Sequence, residues 1–270
     1  MKKYLILGLI FGLLFSVGAV LAARPEFQGA TVKNPVTGDP KKTITVPPTA
    51  IEVAPGLFSL GTAIDNGKVV EGYAFIDYKK GFAKPPSVGA KGTTCYGFLA
   101  KGAKWKSTEP YVVAQDVDVE ATTRDLETWD SQVLFEIFGD RDITSIVDGA
   151  DTISPDQKNE IMFGDIQNSG AIAVAIVWGI FSGPPSVREL VEYDVVFDNA
   201  DYTWGDATSN PLVMDFENIA THEFGHATGM ADLYTSQCSE QTMYGYANYG
   251  EINKRTLEAG DIKGVQELYK

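Results

Sequence analysis

The chain's only two histidines, His222 and His226, stand four residues apart with Glu223 beside the first, and Gly229 and Asp232 follow them. On a helix, positions i and i+4 share one face, so both imidazoles can reach a single ion while Glu223 lies one step round, beside the ion's open side. That geometry needs a helix, and the residues supply one. Asp215 is placed as its N-cap, Phe216, Ile219, Ala220, Phe224 and Ala227 form the buried side, and Gly229 is the stop. A chain turning sharply back under the ion calls for positive φ, which glycine adopts without steric cost. The turn would carry Asp232 toward the same ion. Three protein ligands with an open fourth position make the catalytic zinc pattern, whereas closed sets of four are structural. No third histidine exists, so a carboxylate has to complete the set. For Asp232 the plain alternative is a solvated turn residue.

The string His222-Glu223-Phe224-Gly225-His226-Ala227-Thr228-Gly229-Met230-Ala231-Asp232 resembles the zinc motif of the metzincin clan, in the form that ends in aspartate, as in snapalysin-like enzymes. Thr242-Met243-Tyr244-Gly245-Tyr246 is similar to the Met-turn, and Gly260 to Tyr269 is similar to the closing helix of matrixins. The resemblance implies an α+β, zincin-like catalytic domain with a twisted mixed sheet, a long helix, an active-site helix, a Met-turn and a C-terminal helix. It implies a zinc-dependent endopeptidase acting on protein or peptide substrates, with Zn2+ held by His222, His226 and Asp232 and Glu223 as general base to the activated water. Met243 is then packing beneath the site. Tyr244 or Tyr246 is a candidate donor to the developing oxyanion, or else a wall of the specificity pocket. Aspartate in place of the usual third histidine departs from the matrixin pattern. Its extra negative charge predicts a less acidic water and an activity optimum shifted upward. The rival from another class is a secreted or surface-anchored zinc-binding protein without proteolytic activity. An intact Glu223 favours catalysis, because a structural site has no use for a base beside the ion.

The N-terminus carries Lys2 and Lys3, an apolar run over 4–21, then Ala22-Ala23 before Arg24-Pro25. This reads as a secretory signal over 1–23, with an uncleaved membrane anchor as the alternative, since roughly 20 apolar residues span a bilayer. A net charge of −14 disfavours phosphate backbones and therefore nucleic acid as a partner. In an exported chain, Cys95 and Cys238 most simply pair with each other. The sharper alternative makes Cys95 a latency switch whose thiolate caps the zinc, as in matrixin propeptides, although its context lacks their Pro-Arg-Cys-Gly signature.

Residues 24–103 are expected to form a leader and β segment or a propeptide, and 104–270 the catalytic domain. Within the first, Leu57 to Ile64 and Val69 to Tyr78 read as two strands joined by a tight Asn66-Gly67 turn. In the second, Tyr111–Ala114 reads as a strand and Val119 to Phe138 as an amphipathic helix. Glu160–Phe163, Ile172–Trp178 and Leu190–Phe197 read as further strands. The last alternates, which predicts a sheet edge able to take an extended peptide as an added strand. Two acidic loops, Asp148 and Asp151 with Asp156, and Asp198 and Asp201 with Asp206, are candidates for Ca2+ against the plainer reading of solvated carboxylates.

Overall fold

A computed structural model describes residues 43–82 and 94–270. The apolar run 4–21, the expected signal segment 1–23 and the leader up to residue 42 lie outside the described residues. Among those described, no helix is long and apolar enough to cross a membrane.

The architecture is α+β. In chain order the strands are β1 (Thr43–Ile44), β2 (Ile51–Ala54), β3 (Leu57–Asp65), β4 (Lys68–Lys79), β5 (Glu109–Val113), β6 (Phe138–Arg141), β7 (Glu160–Ile166), β8 (Ala171–Ile180), β9 (Glu189–Asp198), β10 (Trp204–Gly205), β11 (Met214–Asp215) and β12 (Tyr246–Ala247). The helices are α1 (Val119–Asp130), α2 (Phe216–Ala227) and α3 (Ala259–Leu268). One mixed sheet runs β2-β3-β4-β8-β9-β7-β5-β6, with β1 added beside β7 and β12 beside β4. The hairpin β3–β4 closes at Asn66 and Gly67, both at positive φ (45° and 77°), as a two-residue turn matched to strand twist requires. Although β4 lies within residues 24–103, it hydrogen-bonds along β8, from Glu71 opposite Gly179 to Tyr78 opposite Ala171.

Two sequence expectations change. Strand β9 is not an edge: it lies between β8 and β7, antiparallel to the first and parallel to the second. Its alternation arises because Glu192 and Asp194, polar but buried, face an acidic loop rather than solvent. Helix α1 stops at Asp130 instead of continuing to Phe138. The Asp130 carboxylate accepts from the backbone N–H of Ile137 (2.7 Å) and of Phe138, turning the chain so that Phe138 begins β6 beside β5. Val133 and Ile137 keep helical spacing in sequence but leave the helix.

The main core lies between one sheet face and the helices, joining Phe75, Ile172, Ala175, Val195 and Phe197 to Leu126, Trp129, Ile219, Phe224 and Val265. Strand alternation sends Phe75 into this core, while Ala74 and Ile76 join a second cluster on the opposite face. Two tryptophans hold α2 in place: Trp129 Nε1 donates to the Thr221 carbonyl and Trp105 Nε1 to the Ala227 carbonyl, each at 2.8 Å.

Candidate metal centre

Helix α2 begins where the sequence places it. Asp215 caps it by accepting from Asn218 N at 2.9 Å, and the Arg255 guanidinium pairs with the same carboxylate. Eleven of its twelve residues are buried, because it packs on the sheet on one side and against α1 on another. Gly229 follows at φ +100°, where a Cβ would lie 2.8 Å from the Ala103 carbonyl oxygen, so both backbone conformation and space demand glycine. The turn carries Asp232 back under the helix.

There the three sequence-predicted ligands meet. Asp232 Oδ1 lies 3.3 Å from His222 Nε2 and 3.4 Å from His226 Nε2. Bonds of about 2.0–2.1 Å around a tetrahedral zinc give a ligand-to-ligand separation of about 3.3–3.4 Å, so the spacing fits that ion. The outer ring nitrogens point away from the centre: His222 Nδ1 bonds the Thr242 carbonyl at 2.7 Å and His226 Nδ1 the Met230 carbonyl at 3.1 Å. Donation from Nδ1 leaves Nε2 free to act as a ligand and fixes each ring's orientation. Buried polar atoms without a hydrogen-bond partner cluster here, namely His222 Nε2, Asp232 Oδ1, both Glu223 oxygens and both Asp77 oxygens. Orphaned buried polar atoms are costly, and so many at one point are those a cation would satisfy.

The electrostatics agree. Glu223, Asp77 and Asp232 share the site with one buried cation, Lys254, which donates to the Tyr244 carbonyl and lies 3.4 Å from His222 Nδ1. Three carboxylates against one ammonium leave the excess negative charge that a divalent ion cancels. Burial, and then the carboxylates of Asp77 and Asp232, push the Glu223 carboxyl well above its ordinary range. Burial, reinforced by Lys254, pushes the His222 imidazole down. Burial works against the charge on Asp232 too, but the two histidines together outweigh it and hold that carboxyl far below its ordinary range.

The Met-turn closes the floor. Met243 is fully buried, and a Cβ on Gly225 would lie 2.1 Å from its sulfur, so the helix approaches the turn only because residue 225 has no side chain. The N–H groups of Thr242 and Met243 are received by Asp261, in the first turn of α3, at 2.7 and 3.2 Å. Cys95 and Cys238 form a disulfide with Cα atoms 5.3 Å apart, tying residue 95 to the approach of this turn. Its sulfur is therefore committed, and the thiolate switch on Cys95 is overturned.

Residues 160–270 match the matrixin family, peptidase M10. Over this stretch the chain is similar to matrixins, which supports a matrixin-like metzincin. The matrixin match spans β7 through α3 and so includes α2, the Met-turn and the closing helix, and it supports a zinc metallopeptidase type of function. No curated protein matches the chain.

Around the matrixin-like site, four residues escaped the sequence reading. Asp77 places a carboxylate within 4.8 Å of ligand atoms of His222 and Glu223. Phe75 stacks on the His226 ring with centroids 3.9 Å apart. Lys254 supplies the buried charge, and the Tyr234 hydroxyl shares its one proton between the Pro55 carbonyl (2.8 Å) and Asp232 Oδ2 (3.1 Å). Only Asp77 left a signal, as the one acid in the run Tyr73-Ala74-Phe75-Ile76-Asp77-Tyr78, on the same face as Phe75. Tyr244 and Tyr246 stack edge to face with each other, and Tyr246 with Tyr234. Of the two acidic loops, the first converges: Asp151, Asp156 and Glu192 bring ligand oxygens within 4.8 Å of one another. In the second, Asp198 accepts from Ile166, Ala200 and Asp201 backbone N–H groups and Asp206 pairs with Arg255, so the carboxylates serve the fold instead.

Proposed function

We propose that this matrixin-like chain is a secreted zinc endopeptidase that hydrolyses internal peptide bonds, with His222, His226 and Asp232 as metal ligands and Glu223 as general base. The observation that carries it is the meeting of His222 Nε2, His226 Nε2 and Asp232 Oδ1 at tetrahedral spacing among orphaned buried atoms. When bound, zinc lowers the pKa of a water from 15.7 to about 7 and polarises a scissile carbonyl. The chain's own groups do the rest. The two imidazoles are oriented by the Thr242 and Met230 carbonyls, and Glu223 takes the proton on a carboxylate oxygen and returns it to the leaving amine. Met243 and the disulfide keep the floor rigid, and the burial of Glu223 keeps bulk water from competing for its proton.

For the chain as a whole, we propose a signal over 1–23, an N-terminal segment over 24–103 and a catalytic domain over 104–270. Membrane attachment arises only if 4–21 stays as an anchor. The disulfide supports export to an oxidising compartment. A Ca2+ ion is proposed at Asp151, Asp156 and Glu192, supported by an unpartnered Oε1 on the fully buried Glu192.

The test measures zinc content and casein cleavage, with and without a chelator, for the intact chain, for Asp77→Ala, which removes the buried carboxylate beside His222 and Glu223, and for each combined with Glu223→Ala. One zinc per chain is expected, with chelator-sensitive cleavage in at least one of the two chains that keep Glu223. Glu223→Ala is predicted to keep zinc and to lose roughly 100- to 10,000-fold in rate. Zinc uptake with no chelator-sensitive cleavage by either the intact or the Asp77→Ala chain would establish the rival, a zinc-binding protein without proteolytic activity.

A further inference from the structure

The metal centre is sealed: His222 and Glu223 are 0% exposed and His226 1%. A peptidase centre has to admit a peptide, and an extended peptide binds by adding a strand to a free sheet edge. Without the N-terminal hairpin, β8 would be that edge. Strand β4 lies along it instead, antiparallel to β8, and its last residues also run parallel to β12, just beyond the Met-turn, with Tyr78 opposite Tyr246 and Lys79 opposite Ala247. The segment is hydrogen-bonded on both sides, with Lys80 N donating to the Ala247 carbonyl and Lys79 N to the Gly170 carbonyl. The turn before β3 is seated as well, since the Pro55 carbonyl receives Tyr234, whose hydroxyl also bonds Asp232. Cavities of about 730 and 650 Å³ lie elsewhere, the first beside Leu126 and Phe135 and the second beside Ile143 and Val147.

Strand alternation decides what β4 presents to the centre. Phe75 and Asp77 share the face toward α2, Phe75 covering the His226 ring and Asp77 reaching His222 and Glu223. Asp77 is 2% exposed, and neither carboxylate oxygen has a hydrogen-bond partner. A buried carboxylate without a partner is too costly to be filler, and the group it faces is the metal centre.

Resting on the metallopeptidase reading above, we propose that β4 is a self-bound occupant of the substrate groove and that Asp77 is a fourth metal ligand closing the open coordination position, so that the full-length chain is latent. Activity then requires the Asp77 carboxylate to leave the metal, which removes the tie of β4 to the centre and loosens the strand from β8. The role that Cys95 cannot fill falls to a carboxylate on a strand.

The test loads the full-length chain, Asp77→Ala and the near-isosteric Asp77→Asn with Co2+ and follows the visible d–d spectrum during titration with acetohydroxamate, beside cleavage of a quenched peptide. The parent chain is expected to bind one cobalt and to resist acetohydroxamate. Both variants are expected to bind one cobalt with a changed spectrum, to take acetohydroxamate at least tenfold more tightly, and to cleave peptide at least tenfold faster. One cobalt per chain with identical spectra and identical acetohydroxamate affinity in all three overturns this inference and leaves the metal reading intact. A chain that takes up no cobalt with or without Asp77 overturns the metal reading, and this inference with it.

Discussion

Gly225 sits between the two histidines, where a Cβ would overlap Met243 sulfur at 2.1 Å and Trp129 Cζ2 at 2.7 Å. Two effects oppose each other in Gly225→Ala. Alanine gains about 1 kcal/mol of helix propensity, while overpacking a filled core costs about 1–3 kcal/mol, and overlap with both a methionine and an indole belongs at the upper end. Net destabilisation of about 1–2 kcal/mol is predicted, read as a lower urea midpoint; a raised midpoint would show that the Met-turn yields freely. The meeting of His222, His226 and Asp232 was legible in the sequence because i, i+4 spacing and a glycine stop act within one turn of chain. Lys254 was not, because nothing near residue 254 says that its ammonium ends up beside an imidazole.

At the scale of elements, the closing helix holds the floor of the site through one side chain. Asp261 accepts from Thr242, Met243 and Glu258 N–H groups at 2.7, 3.2 and 3.0 Å, and the Thr242 carbonyl in turn holds His222 Nδ1. Asp261→Ala leaves buried donors unpaired at about 1–3 kcal/mol each, so a loss of roughly 2–4 kcal/mol is predicted in chemical denaturation. Zinc affinity is predicted to fall about 10- to 100-fold, as when the partner of a ligating histidine is lost. Stability falling with unchanged zinc affinity would separate α3 from the site. Helix α2, the Asn66-Gly67 hairpin and strands β7 and β8 followed from periodicity and turn chemistry. The end of α1 and the interior place of β9 did not. A side chain receiving backbone N–H groups seven residues on ended α1, and β9 is flanked on both sides by strands whose pairing its own alternation cannot encode.

Over the whole molecule, buried acids set the response to pH. Burial foremost pushes the carboxyls of Asp151 to about 6, Glu160 to about 7 and Glu192 to about 10. Lys158 bridges Asp148 at 2.7 Å and Asp156 at 2.5 Å but does not bond Glu192 Oε1. Each raised carboxyl holds its proton more tightly folded than unfolded. Its contribution to stability is therefore fully present below the ordinary carboxyl range near 4 and is lost as pH rises through the folded value. The melting temperature of the zinc-loaded chain is predicted to fall between pH 5 and pH 8. Calcium at about 100 times its dissociation constant would restore about 2.7 kcal/mol, or roughly 5 °C or more, at pH 8 and much less at pH 5. Equal melting temperatures in calcium and in EGTA at pH 8 would reduce the loop to a hydrogen-bonded turn. By itself the sequence determined an α+β, metzincin-like chain, helix α2 and the meeting of His222, His226 and Asp232, because those depend on spacings within a few turns of backbone. Only the tertiary structure decided that β4 lies along β8 and sets Asp77 against Glu223, because strand pairing joins distant segments through backbone groups that every residue carries alike.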